Sequence, residues 1–429
     1  MRLHRRFILR AAARSLAIGA ALSQTLYGQT TVLNWEQIKT RFLTQNPSVL
    51  AGQINVEESK ANEITAGLRP NPQFTFTTDG FQITPYGGVW RPLAGVLFTP
   101  GISQLIERQN KRQLRVDSAR LATSGAGTDQ EDLQRTLLFA ARTAFVSTLQ
   151  AKALVELTQA NLQSYDNAIS VNRSRFQAGD ISELDFQRVE LQRVQFESDL
   201  ANARINLRTA KIQLGALLND RTPVDDFDVS GDFEYKESIV LLPELRQTAV
   251  ANRPDLRSAQ TAIEKAKADN LLAIANGSAD PVAGGWYSRN PSFNNPFDFN
   301  TIGANVSVPI RLFDKNQGEK ARTALEITRT QRLREALLAG IYRDVDSAYA
   351  ALESVRTVLR PYRDKYLQEA SDIRDKVSFS YSQGNATLLE FLDAQKSYRD
   401  TRVAYLGLIG SYWSALAQLS LAVGQEVNP

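Results

Sequence analysis

The chain has 429 residues, no cysteine, one histidine and one methionine, with 50 basic against 46 acidic side chains. The histidine (His4) and the methionine (Met1) stand in the first four positions, so the rest of the chain offers no imidazole base, no thiol nucleophile and no soft or borderline metal ligand. The positive excess sits at Arg2, Arg5, Arg6, Arg10 and Arg14; from residue 29 onward 45 basic residues face 46 acidic ones, a net of −1, which removes basicity as a sign of nucleic-acid binding.

Residues 1–28 read as a secretory signal peptide: the arginines, an apolar run from Phe7 to about Leu22, then small residues up to a cleavage point near Gly28–Gln29. The run is too short and too charged for a transmembrane helix. From Thr31 to about Leu68 the pattern is helical, carried by Trp35, Ile38, Phe42, Val49, Ile54, Val56 and Ile64, with a break at Asn46-Pro47. Pro70-Asn71-Pro72 ends it. Gln73 to Thr78 alternates apolar and polar, as a strand does; Gly80 to Gly88 is a loop; Trp90 to Thr99 is a second extended run closed by Pro100-Gly101.

Ser103 to Phe176 reads as one long helix, weakened at Ser124-Gly-Ala-Gly127, with a seam at Leu133, Leu137, Ala140, Ala144, Thr148, Ala151 and Val155. A turn follows at Phe176-Gln-Ala-Gly179-Asp180-Ile-Ser182-Glu-Leu-Asp185-Phe186, and a second helix runs to about Leu218. Arg221 to Ser238 is a polar linker with Pro223, Gly231 and six acids. Leu241 to Ala275 is helical around Pro254. Val282 to Tyr287 and Thr301 to Ile310 are extended, separated by a Ser288–Phe299 loop; the latter run places Ile302, Ala304, Val306 and Val308 on one side. Gly318 to Gln383 is a long helix bent at Pro361, and Leu388 to Ala422 is its return.

The turn recurs. Tyr381-Ser-Gln-Gly384-Asn385-Ala-Thr387-Leu-Leu-Glu390-Phe391 repeats the spacing of aromatic, Gly, acid and Phe 205 residues on, and Asn46-Pro47 returns as Arg253-Pro254 at an offset of 207. These offsets predict two tandem copies of one unit, residues 29–220 and 241–429, joined by an equatorial linker at 221–240. Each copy is helix, hairpin (strands about 72–80 and 90–99, then about 281–288 and 300–309), long helix, tip turn (about 176–185 and 381–390), long helix. The four strands are near the 9–11 residues needed to cross a bilayer at a tilt, and Tyr86, Trp90, Trp286 and Tyr287 near their ends would form an aromatic girdle. Four strands cannot close a barrel, so a membrane role requires several chains to share one. The alternative is a soluble periplasmic coiled-coil scaffold with a small sheet. A hydrolase is disfavoured by the missing His and Cys.

The stretch Tyr381-Ser-Gln-Gly384-Asn-Ala-Thr-Leu-Leu-Glu390-Phe-Leu-Asp393-Ala-Gln395 resembles the second tip of TolC-like outer-membrane efflux proteins, Tyr-x-x-Gly followed by acid-x-x-Asp-Ala, and the likeness extends over nearly all of the chain beyond the signal. It implies a mainly α fold with a small β part, an α-helical tunnel, and a homotrimer whose twelve strands form a transmembrane barrel in the outer membrane. It also implies docking of the tips on a periplasmic adaptor that works with an inner-membrane pump, with no cofactor. By that resemblance Glu390 and Asp393 match acids that ring the periplasmic entrance; their first-copy counterparts are Asp185 and Arg188, where Arg188 would pair with an acid of a neighbouring helix. The tip residues Gly179, Asp180, Ser182, Gly384, Asn385 and Thr387 would touch the adaptor, and Asp180, Ser182, Asn385 and Thr387 are candidate caps of the returning helices. The family's Arg two residues after the tip Gly is replaced by Ala386.

Overall fold

The structure is a computed structural model that describes residues 31–85, 87–93, 95–237, 241–289 and 300–427. The expected signal peptide, its cleavage point, Tyr86, residues 238–240 of the linker and residues 290–299 of the second hairpin loop lie outside the described residues. In chain order the elements are β1 (Thr31–Leu33), α1 (Trp35–Gln45), α2 (Pro47–Gly67), β2 (Gln73–Asp79), β3 (Leu97–Leu105), α3 (Lys111–Ala178) and α4 (Glu183–Leu217). Then follow β4 (Phe227–Val229), α5 (Leu242–Asn252), α6 (Pro254–Asn276), β5 (Val282–Arg289), β6 (Asn300–Ser307), α7 (Gln317–Pro361), a π-helical turn (Tyr362–Tyr366), α8 (Leu367–Ser382) and α9 (Leu388–Val423). Helix outweighs strand 72% to 10%, the mainly α fold with a small β part that the periodicity predicts. The chain divides into two compact units: a hairpin unit (residues through Asn46, Ala140–Tyr235 and Thr357–Ser414) and a sheet unit (Pro47–Phe139, Lys236–Arg356 and from Ala415 on).

The hairpin unit corrects the expectation that residues 31–33 are helical and that the linker is only polar coil. β1 pairs in parallel with β4, Leu33 opposite Val229, and both of these side chains are buried. The physical reason is the alternation Phe227-Asp228-Val229: two apolar residues turn inward, and the acid between them is held by Lys152 at 2.6 Å and Lys211 at 3.1 Å. Burial would raise the Asp228 carboxyl pKa; the bonds from the two lysines and from Val229 N–H outweigh it and hold the pKa below the usual carboxylate range. Helix α1 starts only after Asn34, whose side chain accepts from Gln37 N at 2.9 Å while Gln37 Oε1 accepts from Asn34 N at 3.0 Å, a capping box. At its far end Asn46 donates from Nδ2 to Leu217 O at 2.9 Å, fastening the short helix to the end of α4.

Helix α3 runs 68 residues without the expected weakening at Ser124–Gly127. At 1.5 Å per residue it is about 100 Å long. Each glycine costs about 1 kcal/mol of helix propensity. Neither glycine is required by packing: a Cβ on Gly125 would meet Thr261 of α6 at 3.9 Å, an ordinary contact, and one on Gly127 would meet open space. The buried seam in the hairpin unit keeps Thr148 of the expected one but otherwise lies beside it. Ala141, Phe145, Thr148, Leu149, Leu157, Leu162, Tyr165 and Ile169 are buried, while Ala140, Ala144, Ala151 and Val155 are half-buried, because α3 is covered along more than one stripe. The second arm behaves differently: α7 ends at Pro361, and the next turn is π-helical, closed by Leu367 N donating to Tyr362 O. The expected bend at Pro361 is thus realised as a wide turn rather than a simple kink.

The sheet unit holds one antiparallel sheet in the order β2-β3-β5-β6. The second strand is a correction: it covers Leu97–Leu105, not Trp90–Thr99, and helix α3 begins at Lys111 instead of Ser103. Pro100-Gly101 therefore lies inside a strand that is paired on both sides. Pro100 faces Phe76 of β2, while the pairing to β5 passes from Phe98↔Arg289 to Gly101↔Trp286, skipping the proline; a residue without N–H is tolerated where the ladder is interrupted. Gln109 and Asn110, at φ of 57° and 54°, make the reversal into α3. Lys111 is buried with its ammonium on Asp280 at 2.6 Å and Ser278 O at 2.7 Å. Helices α5 and α6 repeat the Pro-separated pair α1 and α2. Arg253 between them is buried, paired to Asp255 at 2.6 Å and Asp344 at 3.3 Å, and donates to Ala422 O near the end of α9. By length and composition α9 alone among the described helices would pass as a membrane crossing, yet half of that window is buried inside the protein, as in a core helix.

Candidate functional site

Two places carry the chemistry that the sequence singles out. The first is the pair of tips in the hairpin unit. Gly179 has φ +84° and Gly384 φ +76°, the left-handed region that only glycine enters without strain. Each turn closes in the same way: Gly179 N donates to Phe176 O and Asp180 N to Arg175 O, while Gly384 N donates to Tyr381 O and Asn385 N to Ser380 O. These are two Schellman motifs of identical bond pattern. The returning helices are capped alike. Ser182 Oγ accepts from Asp185 N at 3.1 Å and donates to Asp185 Oδ2 at 2.8 Å; Thr387 N and Oγ1 donate to Glu390 Oε2 at 2.7 and 2.8 Å, and Thr387 Oγ1 accepts from Glu390 N at 3.3 Å. Of the four candidate caps, Ser182 and Thr387 cap the helices. Asp180 and Asn385 instead supply the backbone N–H groups of the turns.

The caps change the reading of the gate acids. Glu390 is exposed and its carboxylate is bound by its own Thr387; the backbone bond first, then the hydroxyl bond, hold its pKa below the usual range. Asp393 lies one turn further on, exposed, beside the buried Ala394. Arg188 pairs with Asp185 of its own helix at 3.9 Å. The Arg188 side chain is 62% exposed and that of Asp185 38%, and such surface pairs contribute about 0–1 kcal/mol.

Behind the turns the two hairpins are locked together by Tyr381 of the repeated motif and by two residues the sequence reading passed over, Asn172 and Arg175. Tyr381 is buried; its hydroxyl donates to Asn172 Oδ1 at 2.7 Å, and its ring stacks on Phe391 at 4.8 Å. Arg175 donates to Tyr381 O at 2.9 Å and lays its guanidinium over the Tyr381 ring, 4.8 Å from the centroid. Burial raises the Tyr381 pKa, opposed by Arg175. The counterpart Phe176 stacks on Phe186 at 5.2 Å but stays largely exposed. A signal for Asn172 exists in the sequence: it is a polar residue on the buried stripe three after Ile169, and while its Nδ2 donates to Ala168 O of its own helix at 2.8 Å, its oxygen needs a donor from elsewhere.

The second place is the sheet. The registers put Phe74, Phe76, Phe98, Pro100, Ile102, Ala283, Gly285, Tyr287, Ile302, Ala304 and Val306 on one face, and Thr75, Thr77, Thr99, Gly101, Ser103, Gly284, Ser288, Thr301, Gly303 and Asn305 on the other. The apolar face is not covered by the chain: Phe74 is 72% exposed, Ile302 87% and Val306 71%. Strands β2 and β6 are exposed on both faces and end the sheet with open edges. The girdle expectation is corrected at one member. Trp286 belongs by register to the polar face, lying over Gly303, where a Cβ would come within 2.2 Å of its Cζ2. Tyr287 stays on the apolar face, its hydroxyl on Asn300 Oδ1 at 2.6 Å, and Trp90 sits in the β2–β3 loop, exposed, with Nε1 on Gln82 O at 3.2 Å.

The sheet thus has an uncovered, mainly apolar face, and the two tips are matched bond for bond. A model of the outer membrane efflux protein family matches residues 40–220 and again 245–425. The chain belongs to the outer membrane efflux protein family. An efflux protein of this kind is a passive channel and not an enzyme. Over 329 residues this efflux protein is 22% identical to the cobalt-zinc-cadmium resistance protein CzcC of Cupriavidus metallidurans, with 75% of each chain covered. It is 23% identical over 292 residues to nodulation protein T of Rhizobium leguminosarum bv. trifolii, covering 64% of this chain and 60% of that one. Its fold is shared with a membrane protein of Pseudomonas aeruginosa (TM-score 0.74, 16% identity, 91% and 90% of the two chains). It is shared too with the open state of the MtrE outer membrane channel of Neisseria gonorrhoeae (TM-score 0.72, 18% identity, 91% and 89%).

Proposed function

We propose that this efflux protein works as a homotrimer in the outer membrane, three four-stranded sheets joining into one twelve-stranded barrel above a periplasmic helical tunnel. The observation that carries this is the sheet: its uncovered apolar face suits lipid, and two open edges cannot stand in lipid unless further strands close them. The duplication of residues 29–220 in 241–429 is supported by the two separate family matches and by the matched tips. In this reading the tips at Gly179, Asp180, Ser182, Gly384, Asn385 and Thr387 dock on a periplasmic adaptor serving an inner-membrane pump. Asp185, Arg188, Glu390 and Asp393 line the entrance, Asp393 being the acid not engaged in a cap. Trp90 and Tyr287 mark the outer membrane boundary.

Fractionation followed by mass measurement tests it. The full chain should appear in the outer membrane as a species of three times its mass and conduct ions in planar bilayers. A monomer recovered from the soluble periplasmic extract overturns the reading in favour of a scaffold.

A further inference from the structure

The two descending arms differ at one point. The first, α3, is unbroken down to Gly179. The second carries Pro361, which cannot donate to the carbonyl one turn back, and directly after it one π-helical turn, Tyr362–Tyr366. An inserted π turn weakens the helix locally and is a common mark of a working site. The residues of the first arm aligned with Pro361–Tyr366, 205 earlier, are Glu156–Asn161, with no proline and ordinary helix.

The turn is held from outside by the linker between the halves. Tyr235, the last residue of that segment within the hairpin unit, is 8% exposed and stands between Arg363 of the π turn (guanidinium 5.1 Å from the ring centroid) and Tyr412 of α9 (rings edge-on at 5.0 Å). Its hydroxyl is buried and has no hydrogen-bond partner among the described residues, so the ring alone makes the contact. Within the turn, Tyr362 and Tyr366 pack edge-on at 5.5 Å and Arg363 pairs with Asp364.

We propose that Pro361–Tyr366 is a hinge in the second arm and that the Tyr235 ring is the strap that holds it. From Pro361 to Gly384 is 23 residues, about 35 Å of helix, so a swing of about 10° moves the second tip about 6 Å while the unbroken first arm stays in place. That the swing widens the channel entrance rests on the function proposed above; the hinge itself does not.

Hydrogen exchange on the assembled protein in detergent tests the hinge. Amides of residues 362–367 should exchange about tenfold faster than those of 157–162 in α3, and Pro361→Ala should slow them about tenfold. Equal rates in the two arms, or rates that Pro361→Ala leaves unchanged, overturn the hinge. Tyr235→Ala should speed exchange at 362–367 and raise open probability in planar bilayers by about tenfold, with Pro361→Ala cancelling the rise. Tyr235→Phe should change neither, because the hydroxyl holds nothing; a Phe variant that behaves like the Ala variant overturns the ring strap. If exchange follows expectation but the wild-type protein forms no pore, the hinge stands and its use in a channel falls.

Discussion

The two tips are built from the same bonds and yet are not equally anchored. Each closes through a left-handed glycine and a Ser or Thr cap, and each stacks its first aromatic on the Phe that follows the acid. At the second tip the aromatic is Tyr381, buried, bonded to Asn172 and covered by Arg175 of the opposite hairpin; at the first it is Phe176, 37% exposed. The lesson is that a duplicated motif keeps its backbone chemistry, which is local, while its side chains divide the tertiary work between the copies.

Truncating the aromatics should expose that division most sharply. Tyr381→Ala empties a buried site and orphans Asn172, costing about 3 kcal/mol or more, whereas Phe176→Ala should cost about 1 kcal/mol. Denaturant unfolding of the two variants measures both, and equal losses would show that the hairpins are anchored alike. The glycines should show the opposite symmetry. Around Gly179 and Gly384 an added Cβ meets open space, so Gly→Ala at either tip costs only the left-handed strain of about 1–2 kcal/mol. A difference between them larger than the uncertainty of the melts would mean that one turn is held from outside.

Ser182→Ala and Thr387→Ala should each cost about 1 kcal/mol, the usual worth of an N-cap. Acid separates Glu390 from its cap. The folded pKa of Glu390 lies below its ordinary value, so its contribution is fully present above the ordinary carboxylate pKa and is lost as pH falls through the lowered one. The protection factors of the amides of residues 387–390, that is, exchange corrected for its intrinsic pH dependence, should therefore fall on acidification in the wild-type protein, and Glu390→Gln should abolish that fall. The smallest effect is expected at Asp393. Losing one exposed carboxylate from the entrance should weaken cation preference by roughly twofold in planar bilayers. An unaltered reversal potential would remove Asp393 from the entrance.

Much of this was legible in the chain itself. The tips were readable because a glycine after a long helical run, followed by Ser or Thr and an acid three residues on, is a local signal that needs no partner. The Asn46-Pro47 and Arg253-Pro254 breaks were readable for the same reason, since proline constrains its predecessor wherever it sits. Alternation marked β2 and β6 because each residue there faces one side or the other of an uncovered sheet.

The misplaced pieces all depended on distant chain. β3 was set too early because Pro100-Gly101 looks like a terminator, and only the gap in pairing with β5 shows why it is tolerated. β4 was hidden in a polar linker because its acid is neutralised by Lys152 and Lys211, far away in sequence. The face that Trp286 takes could not be read locally, because Gly303, which it covers, comes from another strand. Helical period, turn chemistry and the duplicated plan follow from the order of residues alone, since each is settled within a few residues. Which stripe of α3 is buried and which tip is anchored were decided by packing, because those depend on what another part of the chain places alongside.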